Sequence, residues 1–280
     1  IHLRIPQDFF CEHVERAGQA VGDSLIAVGM VFLPRTDLAA QERCRCIVEE
    51  EILSRGYKIF GWRQVPVNVD VIGEKANATR PEIEQIMVSG PAGADEITFE
   101  RDLYLIRRRI ERAALAENIN DFYICSLSCR SIIYKGMFLA EQVAEFFPDL
   151  LDKRFISNFA IYHQRYSTNT FPAWRAAQPF RVLAHNGEIN TLKGCWNWMR
   201  SHETRMAADT FGDEIEDIKP LIQDGSSDSA ALDAVFELMV RAGRSLPMVK
   251  SMMIPEAVAD GGDLTEELRD LYAYCNAVME

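Results

Sequence analysis

Apolar positions in this chain fall into short runs of two periods, and each run is bounded by Pro, Gly or a capping acid. Ser24–Leu33 (SLIAVGMVFL) is nearly continuous and stops at Pro34, the pattern of a strand covered on both faces. Leu38–Arg55 carries apolar residues at Ile47, Val48, Ile52 and Leu53, with Asp37 as N-cap and Gly56 as stop, which predicts a helix. Tyr57–Val65 reads as extended and is closed by Pro66; Pro81 reads as the first residue of a second, short helix, followed by a loop over Gly90–Ala94. Leu103, Ile106, Ile110 and Ala113 repeat at helical spacing and make Arg101–Glu117 amphipathic. Asp121–Leu127 and Ser131–Tyr134 read as a hairpin, and Phe138–Phe147 as a helix ended by Pro148. Further strands are expected over Phe155–Tyr162 and Phe180–His185. Helices are expected over Leu192–Met206, Ser229–Arg241 and, after a Gly261-Gly262 loop, Leu264–Met279. Strand pairs mixed with blocks of helix point to a layered α+β fold rather than strict βαβ alternation. No repeat or low-complexity linker interrupts the chain, so residues 1–280 are read as one domain.

Composition narrows the function classes. A length of 280 residues with 48% hydrophobic content is ample for a buried core. The net charge of −12 and pI near 5.0 argue against a nucleic-acid binder, which needs a basic face. No apolar run approaches the ~18 residues of a membrane helix, and IHLRIPQDFF lacks the features of a signal peptide. The expectation is a cytoplasmic protein. The seven cysteines are scattered and odd in number. Cys44 and Cys46 point to different faces of a helix, Cys125 and Cys129 sit in an apparent strand pair, and neither pair has metal-site spacing. Reduced, mostly buried thiols are expected, with no metal. The Arg107-Arg108-Arg109 run reads as a solvated helix face interleaved with acids rather than as an anion site.

The densest candidate chemistry lies in Arg165–Trp198, RYSTNTFPAWRAAQPFRVLAHNGEINTLKGCWNW. Taken locally, Arg165 is a strand-end arginine of the kind that pairs with a surface acid. Asn186-Gly187 is a strong hairpin-turn signal. Asp228, in Gly225-Ser226-Ser227-Asp228-Ser229, is an N-cap or first-turn acid of the following helix. The strings around them change that weighting. RYST at Arg165, TFPAW, HNGEIN at His185–Asn190, NTLKG and the Ser-Asp helix start occur in one order. Together they resemble the class II glutamine amidotransferase domain of the glutamate synthases, a group of N-terminal nucleophile hydrolases. The resemblance covers nearly the whole chain, from IHLRIPQDFF to the IPEA and YCNAVME stretches.

That resemblance implies a four-layer αββα sandwich, here truncated at both ends, that hydrolyses L-glutamine to glutamate and ammonia. Arg165 would hold the substrate carboxylate by a charge-assisted fork, with Thr168 a weaker neighbouring contact. Asp228 would pair with the substrate ammonium. The Asn186 carboxamide and the Gly187 N–H would form the oxyanion hole, glycine permitting close approach. The family's nucleophile is a cysteine at the mature N-terminus whose own amine is the base. Ile1 stands at the start of this sequence, and none of the seven cysteines takes the nucleophile's place. Cys195, close to the Asn-Gly loop, stands where the family more often has asparagine. The resemblance further implies that the ammonia serves reductive amination of 2-oxoglutarate in synthase domains of the same polypeptide. FMN and an iron–sulfur cluster would reside there, and a small NADPH-dependent subunit or ferredoxin would supply electrons; a plant or algal source would make the location plastid. Two rival readings are a non-catalytic glutamine-binding or scaffold segment, motivated by the absent cysteine, and another class II amidotransferase. The TFPAW and NTLKG contexts and the long region before Arg165 favour glutamate synthase over the latter.

Overall fold

Ile26–Leu33 owes its place at the heart of the fold to having no polar side chain: all eight residues are buried. At roughly 1.5–3 kcal/mol per fully buried large aliphatic or aromatic side chain, this strand is a main contributor to stability. The structure is a computed structural model that describes residues 1–22, 24–90, 93, 95–167, 170–189, 192–206, 209–255 and 264–279. Two units are distinguished, Ile1–Asn186 and Gly187–Glu280. The first contains β1 (His2–Arg4), α1 (Gln7–Arg16), β2 (Ile26–Leu33), α2 (Leu38–Ser54), β3 (Lys58–Gln64), α3 (Glu74–Ala78), β4 (Glu82–Ser89), α4 (Glu96–Ala116), β5 (Tyr123–Ser128), β6 (Ser131–Ile133), α5 (Val143–Phe146) and β7 (Ala160–Ile161). The second contains α6 (Leu192–Glu203), α7 (Asp228–Arg241), α8 (Leu246–Met253) and α9 (Glu266–Met279).

Both sheets are antiparallel. One has the order β3-β4-β2-β5 and the other β6-β1-β7. Alternation along β2 separates two cores. Ala27, Val31 and Leu33 pack with Cys44, Ile47, Ile52, Leu103 and Ile106 of α2 and α4. Ile26, Val28, Met30 and Phe32 share the opposite core with Leu3 and Ile132 of the smaller sheet and with Phe9 and Phe10 of α1. The expected α+β class with two stacked antiparallel sheets is therefore observed. Helix ends follow local chemistry: Asp37 accepts from the Ala40 N–H at 2.9 Å, and Asp95 accepts from those of Ile97 and Thr98 at 3.1 Å each. Gly56 ends α2 at φ +81°, a backbone conformation that glycine adopts without a Cβ penalty.

Several sequence-based expectations need correction. The segment after Pro81 is a strand, β4, not a short helix. Ile83, Ile86 and Met87 have helical spacing, but β2 and β3 pair with β4 on both sides and bury nearly all of it. Its two inward polar residues are matched by partners remote in sequence. Glu84 receives Arg45 at 2.5 and 2.9 Å, while Gln85 donates to the Tyr134 hydroxyl at 2.9 Å and accepts from Arg63 at 2.8 Å. Nor do β5 and β6 form a hairpin: β5 pairs with β2, and β6 pairs with β1 in the other sheet. The corner between them is fastened by buried Glu100, which accepts from the Ser128 hydroxyl and the Cys129 N–H at 2.6 Å each.

Phe155–Tyr162 supplies only the two-residue β7, and Phe180–His185 contains no strand. Ile156, Ile161 and Tyr162 are exposed, so the apolar content of the first segment does not mark core. Phe138–Phe147 is not one helix but a 3-10 turn, Ala140–Gln142, running into the short α5, with a further 3-10 turn over Pro148–Leu151. The amphipathic helix begins earlier than expected, at Glu96, because Asp95 caps it. Part of the expected Gly90–Ala94 loop and all of the Gly261-Gly262 loop lie outside the described residues.

The arginine run on α4 is not solvated. Arg107 and Arg108 are 3% and 6% exposed and both reach Glu111 at 2.6 Å. Arg181, seventy residues away in sequence, joins the same carboxylate at 3.1 Å. Burial alone would push the Glu111 carboxyl up, yet the three guanidiniums outweigh it and hold that carboxyl down at about 2.

Candidate active site

The segment leading to Asn186 is irregular, so its position must come from side chains. Arg181 is one anchor: besides Glu111 it donates to the Ile124 carbonyl of β5 at 2.6 Å, and its guanidinium lies 5.2 Å from the Tyr123 ring centroid. A backbone hydrogen bond from the Phe180 N–H to the Leu183 carbonyl, 3.1 Å, closes the turn that follows. Lys135, itself buried, donates to the Arg175 carbonyl at 2.9 Å, and the Trp174 indole N–H donates to the Ala76 carbonyl at 3.0 Å. The stretch that carries TFPAW is thereby pinned to the first unit's core through the first two residues of its 3-10 turn, Trp174–Ala176.

Arg165 follows β7 and is exposed. Its backbone N–H donates to His163 Nδ1 at 3.1 Å, and His163 Nε2 lies 2.8 Å from the His185 carbonyl. The arginine and the residue before Asn186 are thus tied through one imidazole. Asn186 is exposed and is the last residue of the first unit. Thr168, the proposed weaker contact, lies outside the described residues. Tyr166 Oη, Thr170 Oγ1 and His185 Nε2 are buried and have no hydrogen-bond partner among the described residues. All three belong to the same stretch, and buried polar atoms of this kind are ones that a polar ligand or water satisfies.

Gly187 opens the second unit and is exposed. Asp228 lies in the same unit, at the first position of α7. Ser227 is the N-cap, its hydroxyl accepting from the Ala230 N–H at 3.1 Å. Asp228 is buried and its Oδ1 accepts from the Ser229 N–H at 2.6 Å and from the Ser229 hydroxyl at 3.3 Å. The aspartate is therefore an acid in the first turn of α7. Arg165 and Asn186 thus fall in one unit, Gly187 and Asp228 in the other.

The thiols divide by environment. Burial pushes Cys44 up to about 11 and Cys125 up to about 12, and burial beside Glu100 raises Cys129 well above the usual thiol range. Cys11 is also raised, by burial and then by Asp8 and Glu15. Such thiols are poor nucleophiles at neutral pH. Cys195, on α6, is exposed. Among the described residues no group of three or more His, Cys, Asp or Glu side chains is placed to hold a metal ion, and no helix is long and apolar enough to cross a membrane.

Sequence reasoning missed His163 and Arg181. Arg181 stands inside the string singled out above, five residues before Asn186, and His163 stands two residues before its start, but their partners, Glu111 and the His185 carbonyl, are visible only in three dimensions.

The fold is α+β with two antiparallel sheets, and Arg165, Asn186-Gly187 and the buried helix-start Asp228 follow one another in that order along the chain. The description Glutamine amidotransferases class-II matches residues 1–280, and the chain belongs to that family. It is 64% identical over 280 residues to the glutamate synthase [NADPH] large chain of Azospirillum brasilense, covering 100% of this chain and 18% of that protein. It is 41% identical to the chloroplastic ferredoxin-dependent glutamate synthase of Oryza sativa subsp. japonica, covering 99% of this chain and 17% of that protein. The glutamate synthase [NADPH] large chain of Bacillus subtilis (strain 168) is 39% identical, covering 99% of this chain and 18% of the relative. The chain thus spans less than a fifth of the length of these relatives.

Proposed function

We propose that this chain is the glutamine-binding part of the amidotransferase of a glutamate synthase, where L-glutamine is hydrolysed to glutamate and ammonia. The observation that carries this reading is the 64% identity to a glutamate synthase large chain over every residue of the sequence. Arg165 takes the substrate α-carboxylate. Asp228, buried at the first position of α7, takes the α-ammonium. The Asn186 carboxamide and the Gly187 N–H receive the negative charge that develops on the amide oxygen, and Thr168 is an additional polar contact. The attacking thiol comes from a cysteine outside residues 1–280, a reading supported by the burial and raised protonation of Cys44, Cys125 and Cys129.

In the same reading, the released ammonia is consumed by reductive amination of 2-oxoglutarate in synthase domains of the same polypeptide. FMN and an iron–sulfur cluster would supply the electron chemistry there. Electrons would arrive from a small NADPH-dependent subunit or from ferredoxin, and the location is cytoplasmic, or plastid in a plant or alga. Truncating one partner of a charge pair that clamps a ligand costs a few kcal/mol, so Arg165→Ala in the full-length protein is expected to lower kcat/KM for glutamine about 10²-fold, mainly through KM. Asp228→Ala is expected to act in the same sense. Steady-state ammonia release measures both, and glutamine turnover with unchanged KM in the two variants would refute the assignment.

A further inference from the structure

We propose that His163 is a positioning residue that couples the carboxylate-binding arginine to the oxyanion loop. The inference rests on the functional reading above and deepens it by one residue. A backbone N–H can only donate, so the Arg165 N–H at 3.1 Å requires an unprotonated Nδ1 on His163. A carbonyl can only accept, so the 2.8 Å contact to His185 requires a proton on Nε2. One tautomer of the neutral ring satisfies both contacts, and the ring is rigid.

The imidazole therefore sets the separation between the main chain at Arg165 and the main chain one residue before Asn186. It does so where no ladder can: neither His163–Arg165 nor Phe180–His185 lies in a strand. Arg181 fixes the same loop from its other side, through Glu111 and the Ile124 carbonyl. Handles for the two ends of one substrate are thereby held at a constant spacing, which is what a near-attack geometry requires.

Two near-isosteric variants separate the arms. His163→Asn places an amide oxygen near the Nδ1 position, keeping the Arg165 bond and losing the His185 bond. His163→Gln places an amide nitrogen near Nε2, keeping the His185 bond and losing the Arg165 bond. Removing a neutral hydrogen bond changes an equilibrium by up to about tenfold. In the full-length protein, kcat for glutamine hydrolysis is expected to fall about tenfold in His163→Asn with KM held within about twofold, while His163→Gln raises KM about tenfold and leaves kcat within about twofold. Arg165→Ala is measured alongside. If Arg165→Ala impairs glutamine use while both His163 variants match the wild type, or lose kcat and KM alike in step with a lowered melting temperature, the positioning role is overturned and the substrate assignment stands. If Arg165→Ala itself leaves the glutamine KM unchanged, the substrate assignment fails first and takes this inference with it.

Discussion

Asn186→Ala in the full-length protein is expected to lower kcat for glutamine hydrolysis about 10²–10³-fold while changing KM little, the size of effect found when one oxyanion donor is removed. In attack on an amide the carbonyl oxygen becomes an oxyanion, and only donors aimed at its new position lower the barrier. Asn186 has the required side chain, a neutral carboxamide, and sits directly after a residue whose carbonyl is held by His163. Asn186→Asp tests the sign of the interaction, because a carboxylate cannot donate and repels the developing charge; it is expected to be at least as inactive as Asn186→Ala. Ammonia release under saturating glutamine gives kcat directly. A loss of less than about tenfold would mean that the oxyanion is held elsewhere.

Glu111→Gln is expected to destabilise the first unit by about 3 kcal/mol or more, the usual consequence of removing one member of a buried ion pair. The carboxylate is shared by Arg107, Arg108 and Arg181, the first two at 2.6 Å and the third at 3.1 Å. The pH dependence follows from its depressed protonation. The folded carboxyl titrates near 2 against an ordinary value of 4.5. Its contribution is therefore fully present above the ordinary value and is lost as pH falls towards the folded value. Between these limits the wild type should lose stability steeply while Glu111→Gln, with nothing to protonate there, loses less, so their difference narrows. Urea denaturation as a function of pH follows this difference, and a constant gap across the acid range would show that Glu111 is not the titrating group. Because Arg181 also anchors the turn before Asn186, the variant should lower kcat as well.

What the sequence made legible, and what it concealed, follows a physical line. Elements specified by local chemistry were readable: Asp37 caps α2 and Gly56 ends it, and the unbroken apolar run of β2 gave a strand buried on both faces. The order Arg165, Asn186-Gly187, Asp228 was also readable, since motif strings do not depend on the fold being solved. Features decided by pairing across long sequence separations were hidden. The β4 segment carries Glu84 and Gln85, whose partners Arg45, Arg63 and Tyr134 come from α2, β3 and the residue after β6, so its strand character was masked by polar residues that the fold satisfies. The arginines of α4 looked solvated because Arg181 is remote in sequence, although Glu111 was in plain view one turn away. In Phe155–Tyr162, apolar content suggested a long strand where the fold forms a two-residue pairing with exposed side chains.

The central claim is that these 280 residues hold glutamine and its oxyanion while the attacking thiol is supplied from elsewhere in the polypeptide. The most direct test is to treat the full-length protein with a diazoketone analogue of glutamine, which alkylates the nucleophile with loss of dinitrogen, and to locate the adduct by peptide mass spectrometry. The account predicts one adduct, on a cysteine outside Ile1–Glu280, with labelling suppressed by excess glutamine and slowed in Arg165→Ala. An adduct on Cys195, or on any other of the seven cysteines described here, would contradict it.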